Sequence, residues 1–140
     1  MIVVKDFAFE AAHRLPSHKG LCRYIHGHSY VVQVGIRDNM MAPRKANGMV
    51  LDFKDLKQQM EDIIGNWDHA LILDKEDPMF PQAMELAGNG FATVIPFKGE
   101  PTAENMAEYI AGELTSRLKQ SVDFVRVWET ATAYAEWRAV

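Results

Sequence analysis

Two long runs with a period of two constrain this chain more than any other feature. Residues 3 to 14 place Phe7, Phe9, Ala11 and His13 on one face and Asp6, Glu10 and Arg14 on the other. Residues 26 to 38 alternate again, with His26, His28, Tyr30, Val32, Val34 and Ile36 in line. Alternation of this length is the pattern of a half-buried strand. The eleven residues between the runs, LPSHKGLCRYI, contain Pro16 and Gly20 and read as a loop. The runs are therefore expected to pair antiparallel, each with an apolar face that other elements must cover.

The covering elements follow in order. Asn39 to Gly48 reads as a turn with exposed cations. Asp52 is an N-cap ahead of Phe53, Leu56, Met60 and Ile63 at helical spacing, with Gly65 as the C-cap. WDHALIL reads as a short buried strand, residues 74 to 90 as a polar stretch with one brief apolar turn, and FATVIPF as a strand. Thr102 caps a second helix whose apolar stripe is Met106, Ile110, Leu114 and Leu118. VDFVRVWETATAYAEWRA closes the chain as one or two strands. The expected order is β-β-α-β-β-α-β-β: an α+β class with both helices on one face of an antiparallel sheet. Residues 1–140 are expected to form a single domain, since a chain of this length buries roughly two-thirds of its unfolded surface.

Charge and cysteine usage narrow the function. Fifteen Lys and Arg against nineteen Asp and Glu leave a formal charge of -4, which offers no footprint for a nucleic-acid backbone. No apolar run approaches the ~18 residues of a membrane span. The first residues lack the long apolar core of a signal peptide. Cys22 is the single cysteine, so no intrachain disulfide can form, and a reducing, cytoplasmic setting is expected.

Three of the five histidines, His13, His26 and His28, fall on the two alternating runs. Residues i and i+2 of a strand point the same way, so His26-Gly27-His28 offers two imidazoles side by side. If the strands pair, His13 completes the set. Three neutral imidazoles suit Zn²⁺ and leave a fourth position open, as in catalytic zinc sites. Cys22, four residues before His26, could close that position and make the site structural, or be an inert thiol. Glu129 shares a face with Val125 and Val127, where a carboxylate is costly unless paired. A salt bridge to Arg126 or Arg138 would satisfy it.

FEAAHRLP, CRYIHGHSY, WDHALIL, EPTAENMAEYI and VWETATAYAEW, in this order, resemble the 6-pyruvoyltetrahydropterin synthase family from about Phe7 to Trp137. The three residues between Cys22 and His26 are similar to the spacing of its bacterial 6-carboxytetrahydropterin synthase branch, which serves queuosine (7-deazaguanine) biosynthesis. The segment from Asp74 to Gly99 is longer than in the short bacterial members.

The resemblance implies a tunnelling fold, in which several such sheets close into a barrel. It implies a homohexamer with active sites between subunits. It implies Zn²⁺ on His13, His26 and His28, and Cys22 as the general base that removes a carbon-bound proton. Lys19 and Arg23 are candidates for an electropositive setting around that thiol. Asp68 and His69 match a pair that relays protons with the cysteine of a neighbouring subunit. Adjacent strand residues face opposite ways, so the backbone must turn there if both are to serve one site. Glu129 matches the residue that anchors the pterin through its 2-amino group and ring N–H. Thr102 and Glu104 match a motif near the pterin pocket, although Pro-Thr-x-Glu is equally a good helix start. The implied reaction converts 7,8-dihydroneopterin triphosphate to 6-carboxy-5,6,7,8-tetrahydropterin with release of acetaldehyde and triphosphate. The alternatives are 6-pyruvoyltetrahydropterin synthesis, by triphosphate elimination, and a non-catalytic zinc- or pterin-binding module.

Overall fold

A computed structural model describes residues 1–140. The two alternating runs form β1 (Ile2–His13) and β2 (His26–Arg37), antiparallel in a register that sets Ile2 opposite Arg37 and His13 opposite His26. The last segment forms β5 (Ser121–Thr130), antiparallel to β2, and β6 (Ala133–Arg138), antiparallel to β5. These four strands are the expected antiparallel sheet.

The remaining strands correct that expectation in one respect. β3 (Ala70–Asp74) pairs parallel to β1, and β4 (Val94–Phe97) pairs parallel to β3. The sheet is therefore mixed, in the order β4-β3-β1-β2-β5-β6. Parallel neighbours need a crossover connection. The stretch expected to be polar with one apolar turn supplies it as a further helix, α2 (Phe80–Gly88). Pro81 sits in its first turn, where a missing N–H costs nothing, and Ala83 is its one buried residue. A helix that buries one alanine leaves no apolar stripe to read.

The two expected helices are α1 (Phe53–Ile64) and α3 (Ala103–Arg117). Asp52 caps α1 by accepting the Lys54 N–H at 2.8 Å, and Thr102 caps α3 by accepting the Asn105 N–H at 3.1 Å. Gly65 does not end α1 in a left-handed turn. It keeps helical angles and continues into a 3₁₀ turn, Gly65–Trp67, which buries the Trp67 ring. Leu56, Met60 and Ile63 of α1 and Met106, Ile110 and Leu114 of α3 share one core with Phe9, Tyr30, Val32, Val34, Val125 and Val127. Both helices thus cover the sheet face that carries His13, and Glu10 on the opposite face stays exposed. No helix is long and apolar enough to cross a membrane.

One buried ion pair ties the crossover to the end of β1. Arg14 Nε lies 2.7 Å from Asp77 Oδ2, and the Asp77 side chain is fully buried. The other Asp77 oxygen accepts the Met79 N–H at 2.8 Å, just ahead of α2. Removing one partner of a buried pair strands the other charge, at a cost of roughly 3–5 kcal/mol when both are fully buried. Arg14 keeps some solvent contact, so Asp77→Ala is expected to lower unfolding free energy by about 2–3 kcal/mol. Urea denaturation checks this; a loss under about 0.5 kcal/mol would mean that the pair is not a tie.

Candidate functional site

The three histidines meet at the end of the sheet, on the face that the helices cover. His13 and His26 are direct partners across β1 and β2, and His28 lies opposite Ala11. The three rings contact one another edge to face, with centroids 4.6 to 5.1 Å apart. One ring nitrogen from each falls within 4.8 Å of the others.

Hydrogen bonding decides which nitrogen that is. His13 Nδ1 lies 2.8 Å from the Pro101 carbonyl, and His26 Nδ1 lies 2.7 Å from the Tyr24 carbonyl. A carbonyl can only accept, so both Nδ1 atoms carry the proton in the neutral rings. Both Nε2 atoms then present lone pairs, and they lie 3.0 Å apart. Two lone pairs at that separation repel unless a cation lies between them. His28 Nε2 is buried without a hydrogen-bond partner. Nitrogens at about 2.0–2.1 Å from a tetrahedral ion stand about 3.4 Å from one another, against 3.0 Å between His13 and His26 and no more than 4.8 Å to His28. His13, His26 and His28 could therefore hold a metal ion. Backbone carbonyls on Nδ1 are the usual means of orienting ligating imidazoles.

Electrostatics favour the ligating form. Burial pushes the His13 imidazolium down to about 4, helped by the neighbouring rings and opposed by the Pro101 carbonyl. Burial also lowers His28, against the pull of the Glu129 carboxylate. Tyr30, fully buried beneath the cluster with its hydroxyl 3.2 Å from His13 Nδ1, is held in its neutral form chiefly by burial.

The other candidate residues are distributed unevenly. Cys22 is half-buried in a 3₁₀ turn, Leu21–Arg23, and does not belong to the nitrogen cluster. Arg23 is occupied within its own loop: it binds the Lys19 and Gly20 carbonyls and the Tyr24 hydroxyl. His18 accepts the Gly20 N–H and shapes the same loop.

Asp68 and His69 do form a pair, with Oδ2 3.0 Å from Nδ1. The turn they require is present, because His69 has a left-handed φ of 62°. Asp68 also accepts the Glu10 N–H at 2.8 Å, and these two bonds hold its carboxyl below the usual range. The His69 side chain is 81% exposed. It lines an open groove of about 500 Å³ with Glu10, Ser29, Phe91 and Thr93. Glu10 and Ser29 face away from α1 and α3, and the groove also reaches His28, while neither Asp68 nor His69 belongs to the nitrogen cluster.

Glu129 is the unpaired residue of a β-bulge between β5 and β6. Its Oε2 lies 4.0 Å from His28 Nε2. Arg126 and Arg138 bind Glu136 and Asp123, so neither supplies the salt bridge that was one expectation for Glu129. Glu129 borders a groove of about 440 Å³ with Ser29, Gln33, Trp128 and Thr130. The Thr102 hydroxyl serves as a helix cap, and Glu104 is exposed in the first turn of α3.

Sequence patterns missed the residues that hold this site together. Tyr24 and Pro101 act through carbonyls, which have no sequence signature. Glu100 accepts both the backbone N–H and the hydroxyl of Ser17. Its position just before a helix cap was the only hint.

The fold and the cluster define an α+β protein with a candidate metal centre at the rim of a mixed sheet. Comparison with known proteins places it further. The family "6-pyruvoyl tetrahydropterin synthase" matches residues 2–139. The chain is 34% identical to the 6-carboxy-5,6,7,8-tetrahydropterin synthase of Haemophilus influenzae, over 97% of each chain. It is 32% identical to the enzyme of the same name from Aquifex aeolicus, over 97% of this chain and 96% of that one. The solved 6-pyruvoyl tetrahydropterin synthase of Caenorhabditis elegans superposes with a TM-score of 0.71 at 23% identity, over 100% of this chain and 96% of that one. The chain belongs to the 6-pyruvoyl tetrahydropterin synthase family. It is an enzyme of the lyase type.

The depressed His13 value carries a stability consequence. In the unfolded chain this imidazole protonates near 6.5, and in the folded, metal-free protein near 4. Above 6.5 both states are neutral and the folded state suffers no penalty. Between 6.5 and 4 only the unfolded state gains the proton, so stability falls as pH falls through that window. Thermal unfolding of metal-free protein is expected to show this loss, and His13→Gln to show less of it. An equal acid dependence in both would remove His13 as the cause.

Proposed function

We propose that this chain converts 7,8-dihydroneopterin triphosphate to 6-carboxy-5,6,7,8-tetrahydropterin, releasing acetaldehyde and triphosphate, as a zinc enzyme of queuosine biosynthesis. The observation that carries the reading is the convergence of three imidazole nitrogens whose protons are held elsewhere. An all-imidazole set without thiolate or carboxylate suits zinc, and three ligands leave one position free. The names of the relatives support the pterin product.

Bound there, zinc supplies Lewis acidity at the open position. The chain supplies the rest. Glu129, beside His28 at the rim of the cluster, accepts the two N–H donors of the pterin edge. Thr102, one residue beyond the Pro101 carbonyl that orients His13, binds the substrate by likeness to the family. Cys22, as thiolate, removes the carbon-bound proton. Asp68 holds His69 Nδ1, which leaves the exposed Nε2 to pass the proton on. The pair lies away from α1 and α3, and by likeness to the family it serves the cysteine of a neighbouring subunit in a homohexamer with sites between subunits. The free thiol fits a cytoplasmic enzyme, acting as one domain over residues 1–140.

The test is product analysis with dihydroneopterin triphosphate. Acetaldehyde is expected in one-to-one ratio with the carboxypterin. Cys22→Ala is expected to keep its zinc and lose about 10²–10⁴-fold in turnover. A pyruvoyl product without acetaldehyde would assign the chain to the other branch. A metal-free, unstable Cys22→Ala would make the cysteine a ligand.

A further inference from the structure

One three-residue segment touches both halves of the chemistry. The carbonyl of Pro101 holds His13. One residue earlier, the Glu100 carboxylate reaches in the other direction. Its Oε1 accepts the Ser17 N–H at 2.7 Å and its Oε2 accepts the Ser17 hydroxyl at 2.6 Å. Ser17 belongs to the loop that carries Cys22. The Leu15 N–H donates to the Cys22 carbonyl at 2.9 Å, and the His18 N–H donates to the Leu15 carbonyl at 3.0 Å. Ser17 therefore sits inside the small hydrogen-bonded ring that Cys22 closes.

Glu100 is itself immobilised. Its carbonyl accepts the Asn105 side-chain amide and the Thr102 N–H, both at 2.8 Å. Those bonds lock it to the first turn of α3. The path from α3 to Ser17 contains no freely rotating link except the glutamate side chain, and both of its oxygens are used. Two short bonds to an ionised carboxylate fix an orientation as well as a distance.

We propose that Glu100 is a positioning residue for the reaction: it holds the Cys22 loop in one frame with the His13 end of the metal centre. The inference rests on Cys22 acting as the base, as proposed above. A loop of eleven residues with a proline and a glycine has many conformations in which the thiol misses the substrate. Glu100 selects one of them. A displacement of about 1 Å in a reacting group can cost on the order of 10²-fold in rate. Ser17 is exposed, so the clamp adds little to global stability and acts on geometry.

The test uses zinc-loaded protein and two readouts. Cys22 is the only cysteine, so its alkylation rate by iodoacetamide at fixed pH reports on this loop alone. Glu100→Ala is expected to keep one zinc per chain and an unchanged KM, to lower kcat by roughly 10-fold or more, and to speed alkylation several-fold. Glu100→Gln, which can still accept one bond and donate another, is expected to fall between Glu100→Ala and wild type in both. Should Glu100→Ala fold poorly, Ser17→Ala removes the hydroxyl half of the clamp from the solvent side and should shift both readouts the same way. In the double variant the effects should not add, because both substitutions break one contact. Wild-type kcat and alkylation in Glu100→Ala would overturn the proposal. So would a kcat loss fully matched by zinc loss, since Glu100 would then act on His13 alone. Retained turnover in Cys22→Ala would instead defeat the underlying reading of the cysteine, whatever Glu100 does.

Discussion

The hydrogen bond between His13 Nδ1 and the Pro101 carbonyl joins residues 88 positions apart, and the site depends on it. It brings the start of α3 onto the end of β1. It places the His13 proton on Nδ1 and so turns the Nε2 lone pair toward His26. Without it, His13 could rotate or change tautomer, and the pair of nitrogens 3.0 Å apart would become an ordinary hydrogen bond between two histidines. The Tyr24 carbonyl does the same for His26 from within the Cys22 loop. Two backbone oxygens thereby convert a cluster of basic side chains into a set of donors for a cation.

Burial enforces the same outcome. A proton on His13 would place an unsolvated charge beside two other imidazoles, and its low affinity for protons follows from that. A divalent ion sharing three nitrogens spreads its charge over all of them. The carboxylate of Glu129, 4.0 Å from His28, adds negative potential at the rim. The opening of the site is therefore polar and asymmetric, with an acceptor on the β5 side and the thiol loop on the β1–β2 side.

What could be read from the sequence was what local periodicity encodes. Alternation placed His13, His26 and His28 on one face, and the same alternation set the β1–β2 pairing. Asp52 and Thr102 announced their helices because a cap is a local bond. The direction of β3 and β4 was not legible, since apolar runs of four or five residues look alike in parallel and antiparallel pairs. α2 escaped because it buries only Ala83. At His69 only the need for a turn could be stated. The left-handed backbone of a residue other than glycine is imposed by the bonds of Asp68 and His69 to Glu10, which lies far off in the chain. The clamp on Ser17 is of the same kind: long-range, polar and without a repeat.

In the proposed centre three imidazole nitrogens would hold the metal and the thiol would stay free. X-ray absorption at the zinc edge of the purified, metal-loaded protein tests it most directly. The expected spectrum shows nitrogen and oxygen neighbours at about 2.0–2.1 Å, with imidazole scattering that fits three rings. A zinc–sulfur distance of about 2.3 Å would place Cys22 in the coordination sphere and contradict it.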